Sequence, residues 1–239
     1  MKAIIPAAGH GTRFLQVTRV VPKEMLPVGS RPALELIVEE ARQAGADEVV
    51  VVVSPGKELI REYFRGVPGV TFAMQEEQRG LGHAVLQAAS AVAGEDRVLV
   101  LLGDALVAGG NAASELAAVS AAHGGASVVG LERVPRERVS RYGIVRTEGD
   151  RIVDMVEKPS PEEAPSDLAI AGRYILDASV FELLSTQAPG KGGEIQLTDA
   201  IRRLAAEKPV YGCVYSGRRQ DIGSPAGYLA ALKAMGENE

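Results

Sequence analysis

A glycine-rich segment with one arginine follows the first apolar run of the sequence. Residues 6–14 read PAAGHGTRF and come directly after MKAII. Glycines at positions 9 and 11 permit tight or left-handed turns, in which consecutive backbone N–H groups can surround phosphate oxygens. Arg13 adds a permanent, forked positive charge. The spacing matches neither the dinucleotide fingerprint G-x-G-x-x-G nor a Walker loop, so the segment indicates either an anion-binding loop or a plain tight turn.

Two aspartates stand where a divalent cation could bind. Asp104 ends the apolar run RVLVLLG, where a charge without a partner would be costly, and Asp221 follows SGRRQ. Carboxylates combine with substrate phosphate oxygens and waters in typical Mg²⁺ sites. Taken singly, Asp104 is also compatible with a helix cap or a turn, and Asp221 with an ion pair to Arg218 or Arg219.

The elements that must position these residues alternate in the first half of the chain. Strands are predicted over 2–6, 48–53, 70–74 and 97–104, with helices near 57–65 and from about 82. This alternation favours a mainly parallel sheet with helices on both sides. Ligands bind such sheets beyond the carboxyl ends of the strands. Both PAAGHGTR and GDAL lie at such ends, which favours the anion-binding interpretation of the glycine loop.

One helix has recognisable start and stop signals. Ser30 is expected to cap a helix that begins at Arg31, with Pro32 in its first turn. Apolar residues at helical spacing follow, and Gly45 is expected to end the helix.

The second half has a different pattern. A hairpin is predicted over 142–159, with TEGDR as its turn, followed by a strand over 168–176. Helices are expected near 178–185, within 194–207 and from about 224, with a strand over 210–216 before the last of them. No internal repeat or low-complexity segment is present.

Composition excludes several classes of function. The 239 residues carry a net charge of −5, which argues against a general binder of nucleic acid or anionic membranes. Cys213 is the one cysteine, so an internal disulfide is impossible and a reducing compartment fits best. The apolar start is too short for a signal peptide, and no apolar run reaches the length of a membrane span. We therefore expect a cytoplasmic protein.

Eight short motifs occur in a fixed order along almost the whole chain. They are PAAGHGTRF (6–14), PKEMLPV (22–28), RGLGHAV (79–85), LLGD (101–104), VEKP (156–159), GRYIL (172–176), GGEIQLTDAI (192–201) and DIGSPAGYL (221–229). Together they resemble the bacterial UTP–glucose-1-phosphate uridylyltransferases of the sugar-phosphate nucleotidyltransferase superfamily. The resemblance implies transfer of a uridylyl group from UTP to glucose 1-phosphate, which gives UDP-glucose and pyrophosphate.

The resemblance also implies an architecture. It is a Rossmann-like three-layer α/β/α fold with a mainly parallel central sheet and a small β-hairpin subdomain for the sugar. One nucleotidyltransferase domain is expected over residues 1–239, with a nucleotide-binding half of about 1–130 and a sugar-phosphate-binding half of about 131–239. Mg²⁺ as cofactor and a homo-oligomeric assembly are implied as well.

This reaction needs no serine, histidine or cysteine nucleophile. The second pKa of a phosphate monoester lies near 6, so the attacking oxygen is already anionic at neutral pH. The difficulty is the approach of one anion to the α-phosphorus of another. Positioning and charge neutralisation must therefore carry most of the catalysis, which predicts cations and a hard metal at the site.

The resemblance assigns roles to residues at matching positions. The catalytic residues implied are Arg13, Lys23, Asp104, Lys158 and Asp221, of which Asp104 and Asp221 would hold Mg²⁺. Nucleotide binding is implied for Ala8, Gly9, Gly11, Thr12, Arg13, Lys23, Gln75 and Gly80, with Gln75 facing the pyrimidine edge. Sugar-phosphate binding is implied for Gly143, Glu157, Lys158, Gly172 and Glu194. Any one of these glycines is also compatible with a turn or bulge, and His83 with packing or support of a neighbour.

Alternatives to the uridylyltransferase assignment remain open. The stretch between Phe64 and Phe72 is shorter than the insertion usual in this family, a feature of the thymidylyltransferase branch, so dTTP or another sugar 1-phosphate is a second possibility. A nucleotide-sugar-binding regulatory pseudoenzyme is a third. A dehydrogenase is disfavoured because the glycine loop lacks the third glycine of the dinucleotide fingerprint.

Overall fold

One mixed sheet of nine strands connects both halves of the chain. The computed structural model describes residues 1–236, so the last three residues of the expected domain lie outside it. The strands are β1 (Lys2–Pro6), β2 (Pro27–Val28), β3 (Arg31–Pro32), β4 (Val49–Val53), β5 (Val70–Met74), β6 (Arg97–Leu101), β7 (Ala105–Ala108), β8 (Ser127–Arg133), β9 (Gly143–Glu148), β10 (Arg151–Glu157), β11 (Leu168–Asp177), β12 (Val210–Val214) and β13 (Arg218–Asp221). The helices are α1 (Leu15–Thr18), α2 (Ala33–Gln43), α3 (Glu58–Tyr63), α4 (Leu81–Gln87), α5 (Ala112–Ala122), α6 (Val180–Ser185), α7 (Leu197–Glu207) and α8 (Pro225–Gly236).

The first half of the sheet is parallel, as the alternation of strands and helices predicts. The order β5-β4-β1-β6 consists of parallel pairs, and every residue of β4 is buried. Apolar side chains of α2 and α5 pack on one face of the sheet, and those of α4, α6 and α7 on the other. The result is a three-layer α/β/α fold, and the carboxyl ends of β1, β4 and β6 lie along one edge.

The second half of the sheet departs from parallel pairing. It continues in the order β11-β8-β12-β10-β9, and only the β8–β12 pair is parallel. The predicted hairpin is present as β9 and β10. Antiparallel neighbours such as β9 and β10 can be joined by a short turn, whereas parallel neighbours need a long crossover. The parallel sheet predicted from the alternation of the first half is thus present there, and the predicted hairpin belongs to the mostly antiparallel second half.

The predicted cap of the first long helix is wrong. Helix α2 begins at Ala33, and its N-cap is Pro32 without a side-chain hydrogen bond. Ser30 instead belongs with Gly29 to the two-residue turn of the β2–β3 hairpin, where Gly29 has a φ of 61°. The predicted end is confirmed: Gly45 has a φ of 88° and donates to the carbonyl of Arg42 at 2.9 Å.

A second, two-stranded sheet lies beside the large one. Strand β7 follows Asp104 directly and pairs antiparallel with β13. Helix α8 then starts four residues after Asp221. Sequence patterns did not indicate this ribbon, nor α5 and β8. Among the helices of residues 1–236, none is long and apolar enough to cross a membrane.

Candidate active site

Two cavities open at the carboxyl ends of the central parallel strands and share Asp104 in their walls. The large cavity has a volume of about 1070 Å³, and its walls include Arg13, Lys158 and Asp221. The small cavity has a volume of about 310 Å³, and its walls include Gln75. Leu81 and Leu102 also contribute to both walls. Two ligands bound in these cavities would therefore meet at Asp104.

Asp104 and Asp221 are neighbours although 117 positions separate them in the sequence. Asp221 pairs with Ala105 in the β7–β13 ribbon, and the N–H of Ile222 donates to the carbonyl of Asp104 at 3.0 Å. Asp221 Oδ1 accepts a hydrogen bond from the N–H of Gly223 at 2.7 Å. The ribbon thus places two carboxylates at one end of the large cavity.

This pair of carboxylates fits Mg²⁺. No cluster of three or more His, Cys, Asp or Glu side chains suited to a metal occurs within residues 1–236. Mg²⁺ usually takes one or two carboxylates and completes its shell with waters and substrate phosphates. Two hard oxygen donors beside a wide cavity match that requirement, whereas a metal that needs a cage of protein ligands would not be satisfied.

Lys23 makes an ion pair with Asp104. Its Nζ lies 2.5 Å from Asp104 Oδ2. Burial alone would raise the pKa of Asp104, but the charge and hydrogen bond of Lys23 outweigh it and hold the pKa below its usual 3.8. Burial alone would lower the pKa of Lys23, but Asp104 and Glu24 raise it above its usual 10.5. Both groups are therefore ionised over the whole physiological range.

A second ion pair, which sequence patterns did not reveal, adjoins the first. Glu24 is 1% exposed, and its Oε2 lies 2.7 Å from the Nζ of Lys57. Burial is the main reason why the pKa of Glu24 is raised and that of Lys57 is lowered. The next residue, Met25, packs in the hydrophobic core. The short 3₁₀ helix Lys23–Met25 is thereby anchored, and Lys23 lines the small cavity.

The glycine loop divides into two parts. Ala8 and Gly9 line the small cavity, and a Cβ on Gly9 would lie 3.9 Å from Lys23 Nζ, so the backbone here stays open to a ligand. Gly11 has a φ of 65° and packs against Thr18, which gives it a turn role. Thr12 begins an exposed 3₁₀ turn and lies outside both cavity walls. Arg13 is exposed and lines the large cavity.

Gln75 and Gly80 form part of the small cavity. The Gln75 side chain is 2% exposed, and its Nε2 lies 3.2 Å from the carbonyl of Gly80. Gly80 has a φ of 103°, and a Cβ there would lie 2.8 Å from the carbonyl of Ile195. Position 80 therefore requires glycine for two reasons: its φ is positive, and residues 194–195 leave no space for a Cβ.

Lys158 and Glu157 also line the large cavity. Lys158 Nζ lies 3.3 Å from Glu157 Oε1, and Glu157 Oε2 accepts a hydrogen bond from Thr198 at 2.6 Å. Lys158 has a φ of 47°, the one positive φ of a non-glycine residue in the described chain. Its N–H donates to the carbonyl of Tyr142 at 2.9 Å, and its carbonyl accepts from Lys191. Backbone strain of this kind is typical of functional positions.

Gly143 and Gly172 line the same cavity. A Cβ on Gly143 would lie 2.8 Å from Ile170 Cδ1 and 3.2 Å from Glu157 Oε2. Gly172 has a φ of 79°, and a Cβ there would lie 2.8 Å from Leu102. Both positions therefore bring the backbone close to neighbouring side chains.

Glu194 departs from the expected grouping. It lines the small cavity rather than the large one, and its Oε2 accepts from Gln196 at 2.9 Å. The structure thus brings Glu157, Lys158, Gly143 and Gly172 together around the large cavity, and sets Glu194 beside Gly80.

Several residues of the large cavity were missed in the sequence. Arg219 hydrogen-bonds Glu132 at 2.6 Å and stacks on the ring of Tyr142, with 4.6 Å between its Cζ and the ring centroid. Arg138 and Arg141 lie on a 3₁₀ segment that ends at Arg141, immediately before Tyr142. The cationic run RERVSR beside YG was the available signal for these two arginines.

Comparisons with known proteins identify the family of this chain. A family model described as nucleotidyl transferase matches residues 2–238. A UTP–glucose-1-phosphate uridylyltransferase of Bacillus subtilis, YngB, is 39% identical, with 98% of this chain and 89% of that protein covered. The uridylyltransferase of the same description from Pseudomonas aeruginosa is 38% identical, with 99% and 96% covered.

Solved structures give the same result. A UDP-glucose pyrophosphorylase complexed with UDP-glucose superimposes with a TM-score of 0.93 at 37% identity, over 100% of this chain and 99% of that one. A UTP-bound enzyme of Acinetobacter baumannii, abbreviated UGPase, superimposes with a TM-score of 0.88 at 35% identity, over 100% and 94%. The chain therefore belongs to the nucleotidyl transferase family.

Proposed function

We propose that this protein transfers the uridylyl group of UTP to glucose 1-phosphate and releases pyrophosphate. The observation that carries the proposal is the meeting of two cavities at Asp104, where Lys23 and Asp221 also converge. The relatives with 37–39% identity are named for UTP, glucose 1-phosphate or UDP-glucose, which supports these substrates.

The nucleotide binds in the small cavity and along the glycine loop. Its base faces Gln75, with the open backbone of Ala8 and Gly9 beside it. Its phosphates extend toward Asp104, where Lys23 and Arg13 neutralise negative charge. A volume of about 310 Å³ suits a pyrimidine nucleoside, because ligand pockets begin near this size.

The sugar phosphate binds in the large cavity. Lys158 is a compact cation that can orient the phosphate, and Glu157 can accept hydrogen bonds from sugar hydroxyls. Gly143 and Gly172 leave space for the hexose beside them. Glu194 lines the small cavity, so it would contact a ligand that extends there.

The chemistry is an in-line displacement. A phosphate oxygen of glucose 1-phosphate attacks the α-phosphorus of UTP, a new P–O bond forms, and the bond to the pyrophosphate leaving group breaks. Lys158 holds the attacking phosphate while Arg13 and Lys23 offset the charge on the triphosphate. Asp104 and Asp221 would hold Mg²⁺, which supplies charge neutralisation between the phosphates. A cytoplasmic homo-oligomer is part of the proposal as well.

A substrate panel tests this function. UTP, dTTP, CTP and GTP are each combined with glucose, galactose, mannose and N-acetylglucosamine 1-phosphates, and pyrophosphate release is followed with Mg²⁺. We expect the highest kcat/KM for UTP with glucose 1-phosphate. The short connection between Tyr63 and Val70 makes dTTP the main competitor, and a preference for dTTP would reassign the base. No release with any pair would favour a regulatory pseudoenzyme.

A further inference from the structure

The side-chain amide of Gln75 has a fixed orientation. Its Nε2 lies 3.2 Å from the carbonyl oxygen of Gly80 and 3.0 Å from Nδ1 of His83. A carbonyl can only accept a hydrogen bond, so the nitrogen, and not the oxygen, of the amide must face Gly80. Gln75 is 2% exposed. It follows strand β5, and its backbone N–H donates to the carbonyl of Val53 in the neighbouring strand β4 at 2.8 Å. The amide is therefore held from several directions.

This orientation leaves one atom of the amide, Oε1, available to contact a ligand. The NH₂ group has two protons, and Gly80 and His83 take one each. Only Oε1 remains to contact a ligand in the small cavity, and it is an acceptor. An acceptor can pair with the N3–H of an imide base such as uracil. Cytosine has an unprotonated N3 and would place two acceptors against each other, which is costly in a buried site.

His83 must offer a lone pair for this arrangement to hold. Burial and the charge of Arg79 lower the pKa of His83 below its usual 6.5, so the ring is neutral at pH 7, although the Glu77 backbone and carboxylate act in the opposite direction. A neutral imidazole has one N–H and one acceptor nitrogen. With Nδ1 accepting from Gln75, Nε2 carries the proton. The amide nitrogen of Gln87 lies 3.2 Å from Nε2 and 3.3 Å from the backbone carbonyl of His83. Both ring nitrogens thus have an amide nitrogen beside them, and a neutral ring can accept from only one of the two amides. We assign the accepted bond to the buried Gln75, so the less buried Gln87 must give up its contact with the His83 carbonyl and turn its oxygen toward Nε2.

We propose that His83 is a specificity-determining positioning residue, which locks the Gln75 amide with its oxygen toward the nucleotide base and thereby selects imide bases over cytosine. The inference rests on the proposed function, because it assumes that the base lies against Gln75. It assigns to His83 no contact with the substrate.

Two substitutions of nearly equal size separate this role from simple packing. In His83→Asn, the side-chain Oδ1 can take the place of Nδ1 and accept from Gln75. In His83→Gln, the amide reaches the position of Nε2 instead, so the acceptor beside Gln75 is lost. Gln87→Leu removes the partner on the far side of the ring and serves as a matched control. All three changes alter the same part of α4, so thermal unfolding should be measured alongside activity.

The measurement is the ratio of kcat/KM for UTP to that for CTP, at saturating glucose 1-phosphate. We expect His83→Gln to lower the ratio about tenfold or more, through weaker use of UTP and better use of CTP. His83→Asn and Gln87→Leu should keep the ratio within about threefold of the wild type. Equal ratios for His83→Asn and His83→Gln would overturn the inference, as would a wild-type enzyme that uses UTP and CTP alike.

The wild-type panel keeps this test distinct from that of the function. If the wild type prefers dTTP, the proposed function fails, and the same variants are compared with dTTP and dCTP, whose bases differ in the same N3 proton. If the wild type prefers UTP and the variants do not differ, the function stands and the role of His83 is wrong.

Discussion

The Nζ of Lys23 lies 2.5 Å from Oδ2 of Asp104, and these two residues belong to different motifs 81 positions apart. The lysine keeps the carboxylate ionised at a partly buried position, where burial alone would favour the protonated acid. In the proposed site, Lys23 therefore keeps Asp104 charged for a cation and also faces the triphosphate. One side chain links the two parts of the proposed site.

Replacement of Lys23 should make metal use sensitive to pH. In Lys23→Met, burial acts on Asp104 without its main opposing charge, so the pKa of Asp104 rises. The apparent Mg²⁺ affinity, measured from activity titrations between pH 5.5 and 8, should weaken toward acid pH in the variant and change less in the wild type. Activity at pH 8 should fall about a hundredfold, since a cation on the triphosphate is lost. Lys233→Met, at an exposed position in α8, is the control. The same pH dependence of Mg²⁺ affinity in Lys23→Met and Lys233→Met would contradict this prediction.

The same ion pair should contribute to stability above acid pH. The pKa of Asp104 is lowered in the folded state, so its contribution is complete above the unfolded value of about 3.8 and is lost as the pH falls through the folded value. Asp104→Asn should lower the free energy of unfolding by about 1–3 kcal/mol at pH 7, the usual range for a charged hydrogen bond. The difference should shrink near pH 3. Urea unfolding at both pH values measures it, and a constant difference would argue against the ion pair.

The two aspartates should act as a unit. Asp104→Asn and Asp221→Asn each remove a ligand charge but keep the shape, so activity should fall at least about a thousandfold in either variant. The double variant should be little worse, because residues that hold one ion are not additive. Higher Mg²⁺, or Mn²⁺, should partly restore each single variant. Asp96→Asn, at an exposed position, is the control. A fully active Asp104→Asn enzyme, or one indifferent to chelator, would disprove the shared site.

Lys158 should affect the sugar phosphate far more than the nucleotide. Lys158→Ala removes the positioning charge and should lower kcat/KM for glucose 1-phosphate about a hundredfold, with UTP affinity by calorimetry within about threefold. Because Lys158 has a φ of 47°, Lys158→Gly should be more stable than Lys158→Ala by about 0.5–1 kcal/mol while being equally inactive. Equal loss of affinity for both substrates would show that the residue serves the fold or the triphosphate instead.

Gly143 offers a test of the sugar site that leaves all charges in place. A Cβ there would press on Ile170 and approach Glu157 Oε2 at 3.2 Å. Gly143→Ala should therefore raise KM for glucose 1-phosphate about tenfold and leave KM for UTP nearly unchanged, in steady-state assays of each substrate. Gly149→Ala in the β9–β10 turn is a control with open space around it, though its φ of 62° costs some stability. A larger effect on UTP would place Gly143 outside the sugar site.

Local sequence patterns predicted the parts of the fold that depend on local physics. The Val-rich strand β4 and the hairpin of β9 and β10 follow from hydrophobic period and turn residues. Helix α5 escaped notice because AASELAAVSAA has apolar residues on all sides and so no stripe. The Ser30 cap failed because Gly29 and Ser30 close a tight hairpin first.

The sequence motifs indicated individual residues of the candidate site but not the contacts between them. Family resemblance indicated Asp104 and Asp221, but the ribbon that joins them is a pairing between segments more than a hundred residues apart, which no local period encodes. The Glu24–Lys57 pair is likewise formed across 33 positions. Such contacts are fixed by the topology of the sheet, and a single sequence contains no local signal for them.

The position of strand β13 has a consequence for how the protein is made. All nine strands of the main sheet lie between residues 2 and 214, whereas Asp221 is reached only after them. Chains emerge from the ribosome with the N-terminal end first. A nascent chain can therefore complete its main sheet before Asp221 is synthesised. Formation of the sheet and completion of the proposed metal site are then separate steps.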